Sequence, residues 1–282
     1  MTPNGVRVVP GGTLVDRVLG HLAERSSDSL TIARDVLGIG KATPAIAERV
    51  AEALLGADPR VRRLTDGRWS LAGSGASVTR LASCSFAVVD VETTGARSGK
   101  GDRITEIAVY SLRDGVIEPV FASLVNPERP IPRFVSTLTS ITNEMVREAP
   151  TFADIAGRVT DALSGHIFAA HNARFDWAFV ARELKRARSL VLSGPRVCTV
   201  QLSRRLVRGL KSRGLDSVAE YFGIEIEGRH RAAGDALATA KVLSCLLDLA
   251  VEQGIETIDE LTAASRARRR RPTALPSPMG EA

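Results

Sequence analysis

The sequence predicts an α/β protein: a mixed sheet flanked by helices, preceded by a small helical module that ends in a hairpin. Three observations carry this. From Phe86 onward, apolar runs of strand length come first and then alternate with helical patterns. Before residue 72 the periodicity is helical three times over and then yields to two short segments around Thr65-Asp66-Gly67. Between the two patterns lies Ala72-Gly73-Ser74-Gly75-Ala76-Ser77, a stretch of linker composition.

Residues 1–12 are polar and rich in Gly and Pro and read as a flexible N-terminus. From Thr13, a fair N-cap, Leu14, Val15, Val18, Leu19 and Leu22 recur at helical spacing. A second short helix is predicted over 29–37, stopped by Gly38. A third is predicted over 44–55, with Pro44 in a tolerated first-turn position and Gly56 as the stop. Three helices and a hairpin over 13–72 resemble a winged helix-turn-helix domain in architecture. The third helix is poorly suited to a DNA groove, because Glu48, Arg49 and Glu52 nearly cancel. The hairpin carries Arg60, Arg62, Arg63 and Arg68, which makes it the candidate nucleic-acid contact; the alternative is a packing or docking module.

After a linker at 73–80, the main unit is predicted over 81–253. Its strands are expected at 86–91, 103–112, 116–125 and 166–170, and its helices at 151–164, 174–187, 198–207, 214–222 and 232–252. Residues 254–282 read as a weakly helical stretch followed by a disordered basic tail with Arg266 and Arg268-Arg269-Arg270-Arg271.

The apolar fraction of 44% and charged fraction of 25% are those of an ordinary globular chain. A net charge of +6 favours a polyanionic partner. Cys84, Cys198 and Cys245 lack the paired spacing of a zinc site or disulfide framework and fit a reducing cytoplasm, where the protein is expected. No apolar run has the length to span a bilayer, so no membrane partner is expected.

The chemistry is concentrated in three short stretches. In Val88-Val89-Asp90-Val91-Glu92-Thr93-Thr94-Gly95, residues two apart on a strand share a face, so Asp90 and Glu92 project together. Two adjacent carboxylates repel, and a bound divalent cation removes the conflict; the alternative is a solvated strand end with two acids. In His171-Asn172-Ala173-Arg174-Phe175-Asp176, Asn172 is a candidate helix cap and Asp176 falls in the first turns, where the helix dipole favours an anion in any case. In His230-Arg231-Ala232-Ala233-Gly234-Asp235, the acid stands near the start of a long helix and the histidine in the loop before it.

Taken together and in this order, the three stretches resemble the DEDDh 3′→5′ exonuclease superfamily, which includes the proofreading epsilon subunit of bacterial DNA polymerase III. The similarity spans about residues 84–250, and the His-x-x-x-x-Asp form of the third stretch selects the His branch. Leu138-Thr139-Ser140-Ile141-Thr142 also resembles a family segment, with Ser140 where Gly is frequent. The resemblance implies a ribonuclease H-like fold and two divalent cations, Mg²⁺ or Mn²⁺, which hard carboxylate ligands suit. By the same resemblance Asp90 would bridge both ions. Glu92 and Asp235 would complete the water-activating site, Asp176 would hold the second ion, and His230 would act as general base. Thr93, Thr94, Thr139, Asn172 and Phe175 are the candidate substrate contacts. The implied activity is removal of nucleoside 5′-monophosphates from single-stranded or frayed DNA 3′ ends, in proofreading-like or repair processing, with a DNA polymerase subunit as a partner. Two alternatives stand beside it: RNA 3′-end trimming, since the sugar is read elsewhere in the site, and a nucleic-acid-binding regulator with an inactive exonuclease-like domain.

Overall fold

The computed structural model describes residues 5–72 and 79–266; the sequence-predicted linker core and the tail beyond residue 266 lie outside this range. A five-stranded mixed sheet organises the larger unit. Its strands are β4 (Ser85–Thr93), β5 (Ile104–Arg113), β6 (Val116–Leu124), β7 (Ile167–Ala170) and β9 (Arg196–Cys198), in the order β6-β5-β4-β7-β9. β4 pairs antiparallel with β5, and β5 with β6, whereas β4–β7 and β7–β9 are parallel.

Both faces of β4 are covered, which is why its Phe86-Ala87-Val88-Val89 stretch is an unbroken apolar run. Ala87, Val89 and Val91 pack with Ile155 and Val159 of α6 (Phe152–Leu163) and with Val180 and Leu184 of α7 (Ala173–Arg188). Phe86 and Val88 turn the other way. They join Leu202 of α8 (Thr199–Leu206), Val218 of α9 (Leu215–Tyr221) and Leu243 of α10 (Ala232–Glu252). The period-two alternation therefore puts Asp90 and Glu92 on the α10 side of the sheet. Ala108, Ala232 and Ala236 let α10 lie close over β5 at that end.

Among the described residues, four α-helices and β-strands of this unit went unpredicted. Seven-residue α4 (Arg133–Thr139) and five-residue α5 (Asn143–Arg147) are too short to show a helical period, and β8 (Leu190–Ser193) and β9 offer four and three residues.

In the smaller unit, α1 (Leu14–Glu24), α3 (Pro44–Leu55) and the hairpin β2 (Val61–Arg63)–β3 (Trp69–Leu71) stand where the sequence puts them. The second helix is broken: α2 (Ser29–Thr31) passes into a π-type turn over Ile32–Val36. Val18, Leu22, Ile32, Leu55, Trp69 and Leu71 form its core.

The expectation of a flexible N-terminus is corrected over its described part. β1 (Arg7–Pro10) pairs antiparallel with β8, Arg7 opposite Ser193 and Pro10 opposite Leu190. Val6 is buried in the core of the larger unit, and its N–H donates to the His166 carbonyl at 2.6 Å. The Gly and Pro content concealed a Val6-Arg7-Val8-Val9 strand that satisfies the free edge of β8.

Candidate active site

Asp90 and Glu92 stand near the C-terminal end of β4. A register irregularity at Glu92/Thr93, where Thr93 pairs with Ile104, turns the strand end at this point. α10 brings Asp235, on its first turn, to the same face. Carboxylate oxygens of Asp90, Glu92 and Asp235 lie within 4.8 Å of one another. Asp176 enters from α7, which begins just after β7 and so at the same end of the sheet as the close of β4; it is only 3% exposed. The structure thus brings together all four acids named from the sequence.

The cluster is electrostatically frustrated. Burial, then Asp176, Glu92 and Asp235, push the Asp90 carboxyl well above its usual range. Glu92 is pushed up to about 8 by burial, then by Asp235 and Glu106, against the pull of Arg229. Asp176 also rises to about 8 through burial, although the N–H groups of its own residue and Val91 oppose this. Asp235 is raised by burial and held back by Arg229. Among the described residues, Asp235 Oδ1 is buried without a hydrogen-bond partner. Three converging hard oxygen donors, with an Asp235 oxygen left orphaned and Asp176 close enough to act electrostatically on Asp90, fit a divalent cation such as Mg²⁺.

His230 occupies the loop before α10 in a left-handed conformation, φ +61°. Its N–H donates to Asp235 Oδ2 at 3.3 Å, and its Nδ1 lies 3.4 Å from an Arg229 guanidinium nitrogen. Gly234 makes this crossing of loop and helix feasible: a Cβ there would lie 2.0 Å from the Glu227 carbonyl oxygen.

The sequence alone assigns no site role to five supporting residues, Glu106, Arg231, Arg229, Arg103 and Glu183. Glu106, opposite Glu92 on β5, accepts from Arg231 at 2.6 Å and from the Ala232 N–H at 2.8 Å, fixing the start of α10 to the sheet. An acid buried in an apolar strand is a signal in itself, because it requires a partner. Arg229 bridges Asp216, at 2.7 Å, and Asp235. Arg103 and Glu183, both buried, form a two-pronged ion pair at 2.5 and 3.0 Å that ties α7 to the start of β5.

The candidate substrate contacts divide. Thr94 is buried and its hydroxyl accepts the Arg103 N–H at 3.0 Å. Thr139 is buried with its hydroxyl between the Val135 carbonyl and the Ile141 N–H. These two hydroxyls are committed to backbone. Thr93 donates to the Gly95 carbonyl at 2.7 Å. Asn172 is exposed and left-handed, φ +74°, and its side chain does not cap α7, contrary to expectation. Phe175 packs on Phe179, centroids 4.9 Å apart, at the margin of the core. His171 is held neutral by burial, between Thr199 Oγ1 and the Arg213 carbonyl, and has a structural role.

The hairpin arginines lie outside this site and are mostly neutralised. Arg60 pairs with Asp58 at 2.7 Å, Arg68 with Asp66 at 2.7 Å, and Arg63 with Glu48 and Glu52 while stacking over Trp69. Arg62 alone of the four has no acid partner among the described residues. The acids that cancel the charge of the third helix also bind the hairpin, which the linear sequence does not reveal.

Comparisons with known proteins agree with this geometry. The exonuclease family model matches residues 87–243. The chain is 34% identical over 183 residues to DNA polymerase III PolC-type of Caldanaerobacter subterraneus, covering 65% of this chain and 13% of that protein. It is 34% identical over 181 residues to the 3′-5′ exonuclease DinG of Bacillus subtilis, covering 64% and 19%. The chain therefore spans less than a fifth of the length of either relative. Exonuclease X, solved in complex with 5′ overhanging duplex DNA, superposes with a TM-score of 0.52 at 26% identity, covering 64% of this chain and 99% of that one. Among the described residues no helix is long and apolar enough to cross a membrane. With the family model spanning more than half of the sequence and the acidic cluster inside the matched region, the chain belongs to the exonuclease family.

Proposed function

We propose that this protein is a divalent-metal-dependent 3′→5′ exonuclease that releases nucleoside 5′-monophosphates from DNA ends. The observation that carries the reading is the convergence of Asp90, Glu92 and Asp235, with one Asp235 oxygen buried and unpartnered. The PolC-type and DinG relatives and the DNA complex of Exonuclease X support DNA as the substrate and a role beside replication or repair.

Asp90, Glu92, Asp176 and Asp235 would hold the cations. When bound, the ions neutralise phosphate charge, activate water and stabilise the leaving oxygen. The chain's own residues do the rest. Glu106 and Arg231 hold the first turn of α10 so that Asp235 faces β4. Arg103 and Glu183 hold α7 so that Asp176 faces Asp90. His230, whose backbone N–H is fixed to Asp235, would take the proton of the attacking water on its imidazole.

The test is Mg²⁺-dependent digestion of single-stranded DNA, of duplex DNA with a mismatched 3′ end, and of RNA. DNA should be shortened from the 3′ end with mononucleotide release, and a folded Asp90→Asn variant should lose at least about a thousandfold in rate. Undiminished digestion by that variant removes the assignment; faster loss of RNA than of DNA overturns the substrate.

A further inference from the structure

α7 sorts its charges by face. Its two acids, Asp176 and Glu183, are seven residues apart and both point inward, where they serve the carboxylate cluster and the Arg103 pair. Its outward face carries Arg174, Arg182 and Arg186, spaced successively by eight and four residues and so on one side of the helix, with Lys185 beside them. All four are exposed, and among the described residues none has an acid partner. The 3₁₀ turn Ser98–Lys100, which follows β4, packs beside α7 and adds exposed Arg97 and Lys100.

The helix dipole accounts for Lys185 and Arg186, which lie near its C-terminus. It does not account for Arg174, which stands in the first turn, where a cation meets the positive end of the dipole. Uncompensated like charges one turn apart also destabilise a helix unless something neutralises them. The stripe begins two residues from Asp176 and runs outward for about 18 Å, twelve residues at ~1.5 Å each. That length matches roughly five nucleotides at the duplex rise of ~3.4 Å.

We infer that the outer face of α7, with the Arg97–Lys100 turn, is a track for the phosphates of the nucleic-acid strand whose 3′ end lies at the carboxylates. As a substrate track it rests on the function proposed above. It assigns strand binding to the exonuclease unit, and not to the hairpin arginines that pair with neighbouring acids.

Binding is measured by anisotropy of a labelled single strand of about 20 nucleotides, without metal and in an Asp90→Asn background, across a range of salt. Replacing three phosphate contacts with R182Q/K185Q/R186Q should flatten the slope of log affinity against log salt by about 2, since each contact contributes ~0.7 on single strands. The same number of changes in the hairpin, R60Q/R62Q/R68Q, should leave the slope in place. In the active protein the α7 variant should raise KM for the long strand by about tenfold, with the loss confined to strands long enough to reach the stripe. An unchanged slope in the α7 variant, or a slope lost in the hairpin variant instead, overturns the inference. A protein that binds through α7 yet digests no strand would leave the track standing and remove the exonuclease reading; digestion with an unaltered slope would do the reverse.

Discussion

Arg229 donates to Asp235 Oδ2, while Oδ1 of the same carboxylate is buried without a partner. The guanidinium also lies within electrostatic reach of Asp90 and Glu92, and it is tethered from outside by Asp216. In the metal-free protein it is the counter-charge of the cluster. Its delocalised cation can share a carboxylate but cannot replace a compact ion with several oxygen ligands.

Replacing Arg229 by Gln should therefore have opposite effects on two measurements. The thermal midpoint of the chelator-treated protein should fall, because the repulsion among the acids loses its compensation. Mn²⁺ should bind more tightly by calorimetry at a pH above 8, by about tenfold, the equivalent of one charge-assisted hydrogen bond of roughly 1.5 kcal/mol. Weaker Mn²⁺ binding in the variant would show Arg229 to be a support of the site and not a competitor for it.

The raised carboxylates give metal-free stability a direction in pH. Unfolded, Glu92 ionises near its ordinary 4.5; folded, it does so at about 8, and Asp176 behaves alike from 3.8. The folded protein thus retains protons that the unfolded chain has released, so this contribution to stability is fully present below about pH 4 and is lost as pH rises through about 8. Half-buried His166 and His171, both lowered by desolvation, act in the opposite sense below about 6.5. The difference between Mg²⁺-loaded and chelated protein cancels the histidines. The stabilisation by Mg²⁺ measured by calorimetry should grow steadily between about pH 5 and pH 8.5; a flat difference would mean the acids are already ionised without metal.

Gly234→Ala should cost activity, although alanine is ordinarily the better helix residue by about 1 kcal/mol. The added methyl would meet the Glu227 carbonyl at 2.0 Å and the Gly228 carbonyl at 2.6 Å. The loop must lift away, taking Arg229 and His230 with it. A loss of about 1–3 kcal/mol in stability is expected from such overpacking, together with a fall in kcat that exceeds any rise in KM. A variant with wild-type kcat would show that the loop's seating is irrelevant to turnover.

Ser140→Gly should do the opposite. Ser140 ends α4 at φ +59°, ψ +13°, a left-handed cap that a side chain resists. Glycine there should add about 1 kcal/mol, or roughly 2–4 °C in thermal midpoint for a chain of this size, without altering digestion. A fall in midpoint would mean the serine side chain contributes more than its backbone strain costs.

The parts of the site that the sequence discloses are those with local rules. Period two puts Asp90 and Glu92 on one face, and the long apolar period of α10 locates Asp235 at its start. What stayed hidden depends on pairs distant in sequence: Glu106 with Ala232 across 126 positions, and Arg103 with Glu183 across 80. No local pattern reveals such a partner; only the presence of a buried charge announces that one must exist. The same limit explains the hairpin. Its four arginines stand out in the linear order, whereas Glu48 and Glu52, which bind Arg63, belong to a helix that reads as electrically neutral on its own.

The pairing of β1 with β8 changes what counts as a separable piece of this protein. The chain first contributes Val6 and a strand to the larger unit, then builds the three-helix module, then returns to complete the sheet. In topological terms the module is an insertion inside the exonuclease unit and not a bead ahead of it. A fragment starting at Leu81 would open a hole where Val6 sits and bare the backbone of Leu190–Ser193, an invitation to intermolecular strand exchange. Excising residues 13–72 while keeping the first strand on a short graft is the cut that respects the architecture.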